Sequence, residues 1–139
     1  MTLEAVAEAL NQVCRDDAGV VSAYVFGSVA RGVTHRESDV DVAVLLDWKT
    51  YPTARERFEA RLRLSTRLAA ALHRNDVDLL VLNDAPPHLS REVVTRGTRA
   101  LCRDVIADRA FTRTAMLRAA DLDPFLQRAR RVKLAALER

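Results

Sequence analysis

Apolar positions recur along the chain with two periods, and the changes of period mark its elements. Leu3, Val6, Ala7, Leu10, Val13 and Cys14 fall at helical spacing, with Glu4, Glu8 and Asn11 elsewhere. This pattern predicts an amphipathic helix over 3–15, with Thr2 as its N-cap. Gly19 ends the connection, and VVSAYVF (20–26) reads as a short, largely buried strand. Residues 28–33 can form a helical turn that opens at Ser28, and DVDVAVLL (39–46) is a second strand. A long basic helix is expected over 52–74, opened by Pro52. Phe58, Leu62, Ser65, Leu68, Ala69 and Leu72 trace its inner stripe, while Arg55, Arg57, Arg61, Arg63 and Arg67 face outward. DVDLLVLN (76–83) is a third strand. Pro86 and Pro87 start another helix, with Leu89, Val93 and Val94 as its apolar side and Gly97 at its C′ position. TRALCR (98–103) is a short fourth strand, and Asp104 caps a helix running to about Ala120. DLDP (121–124) is expected to break the chain. A last basic helix then runs from Pro124 to the end and packs Leu126, Ala129, Val132 and Leu137 against the body.

The order α-β-α-β-α-β-α-β-α-α implies an α/β (α+β) fold, with a small central sheet covered by helices on at least one side. The length of 139 residues suits a single domain over 1–139, with a terminal helical segment at about 104–139. It leaves no room for a separate substrate domain. The N-terminus carries acids and no basic region, and no apolar run reaches the ~18 residues of a membrane span. The expected location is the cytoplasm.

Charge changes this picture a little. The net charge is +3, and all but Lys49 and Lys133 of its 22 basic residues are arginine. Residues 1–50 sum to −4 and residues 51–139 to +7. The basic half reads as solvated helix faces, with phosphates or an acidic partner as the sharper alternative. Aromatic residues are 5% of the chain, too few for a stacking platform, and no direct nucleic-acid binding is expected. Cys14 and Cys102 stand alone among apolar residues, so no zinc site is expected and both read as small hydrophobes.

The second strand holds the candidate chemistry. Asp39 and Asp41 lie two residues apart and so point to one face, while Val40, Val42 and Val44 line the other. Two carboxylates on a rigid strand suit a hard divalent cation, which cancels their repulsion. Before them, Gly27 and Ser28 turn the first strand into a helix start, where a backbone without Cβ can approach an anion closely. On the third strand, Asp78 and Asp76 share a face, and spacing alone does not choose between them. Arg31 reads equally as a phosphate ligand or as a structural ion pair. His35 and Arg36 read as exposed loop residues, His73 and His88 as surface residues, and Trp48 as a packing or partner-contact residue.

A Gly-Ser turn, ten residues, a DxD strand and a later third Asp resemble the signature of the DNA polymerase beta-like nucleotidyltransferase superfamily. The finer pattern GSVARG, SDVDVAVLL, VDLLVLN and PPHLSREVVTRGTRALCRD resembles the minimal nucleotidyltransferase (MNT) antitoxin family over almost the whole chain. The resemblance implies a polymerase beta-like fold with a small mixed sheet of about four strands. It implies that Gly27 and Ser28, with Arg31, grip the triphosphate of ATP, and that Asp39, Asp41 and Asp78 hold two Mg2+ ions. It selects Asp78, the Asp of the VDL pattern, as third acid, serving as metal ligand, general base or both. It further implies an antitoxin that transfers AMP to a tyrosine of a HEPN-domain ribonuclease toxin, within a complex. The alternatives are an antitoxin that acts by binding alone, and a small-molecule nucleotidyltransferase.

Overall fold

Leu3–Arg15 forms helix α1, and the Thr2 hydroxyl caps it by accepting the Ala5 N–H at 3.2 Å. Val6, Leu10, Val13 and Cys14 are its buried stripe, as the helical period predicts. The computed structural model describes residues 1–32 and 39–138. Strand β1 (Val20–Phe26) leads into a single helical turn, α2 (Gly27–Ala30), and then to strand β2 (Val40–Leu46). Helix α3 (Ala54–Leu72) crosses over to strand β3 (Val77–Val81), which runs parallel to β2. A parallel neighbour needs such a crossover, whereas antiparallel β1 and β2 need only a short one. After a 3-10 turn at Leu82–Asp84 come helix α4 (Pro87–Arg96), strand β4 (Thr98–Cys102) and helix α5 (Val105–Leu137).

The four strands form one mixed sheet in the order β3-β2-β1-β4, with β4 antiparallel to β1. Val40, Val42, Val44 and Leu46 join residues of α1 and α3, such as Leu10, Leu64 and Leu68, in one apolar layer. Ala43 and Leu45 join Val21, Tyr24, Leu82 and Val93 in a second layer, closed by Phe111 of α5. Helices therefore cover both faces of the sheet, which is why residues 42–46 are apolar without alternation. The β1–β2 pairing carries one irregularity, between Val20 and Ser22. From Ser22–Leu45 to Phe26–Asp41 it runs unbroken.

Three expectations are corrected. Helix α3 starts at Ala54 with Thr53 as its cap, and it is rotated from the expected stripe: Arg57, Ala60, Leu64 and Leu68 are buried, while Phe58 and Leu62 are exposed. The cause is Arg57, which forks onto Asp84 at 2.9 and 3.0 Å, donates to the Tyr51 carbonyl, and lies over the Trp48 ring at 4.8 Å. With its charge thus met, the arginine takes an inward position. The chain does not break at 121–124, because α5 runs through Pro124 as one 33-residue helix. Proline removes one N–H there, but Ala120, whose carbonyl loses its partner, faces solvent, where water can satisfy it. Arg91 of α4 also clamps Asp123 at 2.7 and 2.9 Å. Finally, Leu126, Ala129, Val132 and Leu137 do not pack on the body but are exposed.

Gly97 does end α4, but with extended rather than left-handed backbone. Its lack of a Cβ matters because that atom would collide with the Val93 carbonyl and crowd the Val25 carbonyl. Cys14 is buried and Cys102 half-buried, and both are free thiols. Among the described residues, no helix is long and apolar enough to cross a membrane.

Between sheet and α5, Asp108 is only 2% exposed. It accepts the Tyr24 hydroxyl at 2.6 Å and sees the Arg99 guanidinium at 3.6 Å. Burial, and then the bond to Asp108, push the Tyr24 hydroxyl up to about 12, so it stays a donor at all ordinary pH values. Tyr24→Phe removes that donor from a buried carboxylate. It is expected to lower unfolding free energy by about 1–3 kcal/mol, read by urea denaturation at neutral pH.

Candidate active site

Three adjacent strands bring the candidate residues into one row. Strand β1 ends at Phe26, whose partner across the antiparallel pair is Asp41. On the other side of β2, the parallel partner of Asp41 is Asp78. Gly27, just after Phe26, has φ +71°, and a Cβ there would come within 3.0 Å of the Asp41 Oδ2. The backbone and the carboxylate thus meet at a point that only glycine permits. Ser28 follows, half-buried in α2. Arg31 closes that turn, its N–H donating to the Gly27 carbonyl at 3.2 Å, and its side chain is exposed. Asp39 stands exposed just before β2, and buried Val40 separates it from Asp41.

The electrostatics follow from this row. The Asp41 carboxyl is held above the usual carboxylate range, first by partial burial, then by Asp78 and Asp39; Arg31 acts in the opposite sense. A carboxylate whose ionisation is made costly by burial and by two neighbouring acids suits a hard cation bound through oxygen. Among the described residues, no three such side chains already stand as a closed cation cage. Magnesium does not require one, since it keeps waters and takes one or two carboxylates together with substrate phosphates. The donor set therefore fits Mg2+ arriving with a nucleotide.

The structure also separates the two acids that spacing left equivalent. Arg74 forks onto Asp76, with its Nε donating to Oδ1 at 2.7 Å, and holds that carboxyl below the usual range. The Asp76 carbonyl accepts the Val40 N–H at 2.9 Å, so this residue pins the start of the β2–β3 pair. Asp78 is the acid beside Asp41. Arg61 of α3 stands beside it, with its Nη2 3.9 Å from Asp78 Oδ1, while its Nε donates to the Leu79 carbonyl at 2.8 Å. Sequence reasoning placed Arg61 merely outward. Its task follows from β3 being an edge strand, whose outward carbonyls need donors.

The other singled-out residues lie elsewhere. His35 and Arg36 fall outside the described residues. His73 caps α3 in a left-handed conformation with φ 54°, and His88 is exposed on α4. Trp48 follows the far end of β2 and is exposed under Arg57.

A Gly-Ser turn thus abuts a DxD strand, with a third acid on the parallel neighbour, on one mixed α/β sheet. The sequence matches the model of the family described as Polymerase beta, Nucleotidyltransferase over residues 8–106. The chain belongs to that family. It is 42% identical over 76 residues to the protein adenylyltransferase MntA of Shewanella oneidensis, an alignment covering 53% of this chain and 48% of that protein. The chain thus spans about half the length of this curated relative. A crystal structure of a toxin–antitoxin with AMP-PNP superposes with a TM-score of 0.69 at 28% identity, over 96% of this chain and 98% of that one. The structure of a tri-AMPylated Shewanella oneidensis HEPN toxin in complex with MNT antitoxin is similar at a TM-score of 0.63 and 25% identity, covering 98% of each chain.

Proposed function

We propose that the chain is the antitoxin of a HEPN/MNT toxin–antitoxin pair and works as a Mg2+-dependent protein adenylyltransferase. AMP passes from ATP to a tyrosine hydroxyl of the HEPN ribonuclease toxin, which is thereby silenced. The observation that carries this reading is the row Gly27, Asp41 and Asp78 across three neighbouring strands. The adenylyltransferase relative and the AMPylated toxin complex support the choice of nucleotide and acceptor.

Asp39, Asp41 and Asp78 would hold two Mg2+ ions. When bound, they neutralise the triphosphate and stabilise the attacking and leaving oxygens. Gly27 lets the backbone approach the triphosphate, while the Ser28 hydroxyl and the Arg31 guanidinium donate to phosphate oxygens. The tyrosine oxygen attacks the α-phosphorus in line, the bond to the bridging oxygen breaks, and pyrophosphate leaves. Asp78, open to solvent beside Asp41, also accepts the hydroxyl proton.

The test incubates the purified chain with the HEPN-domain protein of the same genome, ATP and Mg2+, and weighs the HEPN protein. An unmodified mass overturns the reading. The two acids of β3 and its approach are expected to part company: Asp78→Asn lowers the transfer rate at least about a hundredfold. Asp76→Asn, which weakens one contact of Arg74 but leaves the row intact, keeps the rate within about threefold, an effect of under 1 kcal/mol on the barrier.

A further inference from the structure

Exposed apolar side chains concentrate on α5. At 33 residues and ~1.5 Å per residue this helix is about 50 Å long, far longer than the sheet it crosses. The Arg91–Asp123 pair ties it to the body, and the adjoining crevice against α4 reaches Leu126, Gln127 and Arg130. From Pro124 to Glu138 every residue is exposed. Phe125 is 64% exposed, Val132 66% and Leu137 74%, with Leu134 also in solvent. The same stretch, 124–137, carries Arg128, Arg130, Arg131 and Lys133 and no acid.

These features narrow the occupant. At about 100° per residue, Phe125 and Val132 share one side, Leu126 and Leu137 a second, and Leu134 lies further round. Arg130 and Lys133 fall inside that apolar arc. A helix that lies on a lipid surface needs its charges segregated from its apolar face, which this one lacks. A helix apolar on several sides is instead enclosed by protein. A second copy would set the four cations of one helix against four of the other. Contacts to nucleic-acid phosphates leave Phe125, Leu134 and Leu137 without a role.

We infer that the projecting end of α5, from Phe125 to Leu137, is the docking element for the acceptor protein and enters an apolar cleft with an acidic rim. This rests on the protein-acceptor reading above and names the surface that serves it. Docking through the projecting helix end leaves the acceptor tyrosine and its segment free to reach the nucleotide.

The test uses the full chain with the HEPN-domain protein as probe. Phe125→Ser, Val132→Ser and Leu137→Ser are combined in one variant, and Arg128→Glu, Arg130→Glu and Arg131→Glu in another. All six side chains face solvent, so thermal melting and Mg-ATP binding are expected to match wild type. The apolar variant is expected to bind the HEPN protein at least about thirtyfold more weakly, as loss of central apolar anchors does. The charge-reversed variant is expected to bind more weakly and to lose the salt dependence of association. Wild-type affinity in both variants overturns the inference, as does no binding of the HEPN protein by wild type. So does a defect confined to phosphatidylglycerol vesicles, to RNA, or to self-association in sedimentation. Transfer by both variants at unchanged KM refutes the docking surface alone. A wild type that binds the HEPN protein without ever transferring AMP refutes the transfer reading alone.

Discussion

Asp41→Asn is expected to abolish transfer and, in metal-free protein, to raise thermal stability. The two effects share one cause. Asp41 ionises against partial burial and against Asp78 and Asp39, so its carboxyl sits above the usual range. A group whose folded pKa is raised stabilises below its unfolded pKa, and that contribution is lost as pH rises through the folded value. At neutral pH the ionised Asp41 therefore costs the metal-free fold stability. Asparagine keeps the shape and removes the charge. Melting curves should show the variant gaining on wild type as pH rises through and above the ordinary carboxylate range. Mg2+ with a nucleotide should then stabilise wild type and not the variant. Transfer should fall at least about a hundredfold, since a direct cation ligand is worth no less than the groups that support one. A variant that transfers at the wild-type rate removes Asp41 from the mechanism. A variant that still neutralises its toxin without transfer makes binding the decisive act.

Gly27→Ala is expected to injure both fold and site, and Gly32→Ala only the fold. Both glycines have φ +71°, a conformation that costs an L-residue about 1–2 kcal/mol. At Gly32 an added Cβ meets nothing within 4 Å, so strain is the whole effect. At Gly27 the same atom strikes the Asp41 carboxylate. Either the turn or the carboxylate must shift, and a misplacement of roughly 1 Å can cost about a hundredfold in rate. Urea denaturation and the mass-based transfer assay, run on both variants, read the two effects separately. Equal activity in the two alanine variants would mean that the contact between Gly27 and Asp41 has no part in the chemistry.

The sequence reveals the site better than it reveals the helices around it. Asp39, Asp41, Gly27 and Ser28 stand out because each breaks a local rule: charges in an apolar strand, and a glycine where a helix begins. The choice between Asp76 and Asp78 is invisible to spacing, since both lie on one alternation. In space the two part: Arg74, two residues away in sequence, pairs with Asp76, and the β2–β3 register sets Asp78 beside Asp41. The rotation of α3 is hidden for a different reason. Arg57 looks like a surface residue until Asp84 and Trp48, distant along the chain, supply its partners. Pro124 misleads because a proline breaks a helix most surely where the freed carbonyl is buried, and α5 is open to water there. The burial of both faces of β2 is partly legible in the run of residues 42–46, yet only the fold shows that α4 and α5 close the second face.

The irregularity between Val20 and Ser22 gives the β1–β2 pair one end where chain length can vary and one where it cannot. An insertion of one residue at the irregular end moves the register of Val20 and Val21 alone. The same insertion between Ser22 and Phe26 would turn β1 over, because successive side chains alternate faces. Gly27 would then lose its place against Asp41, and the glycine contact would go even though every residue of the motif survived. Length differences among domains of this kind should therefore gather at the Val20 end of the first strand. Inserting a reporter or a tag between Ser22 and Phe26 would silence the chain without altering a single acid.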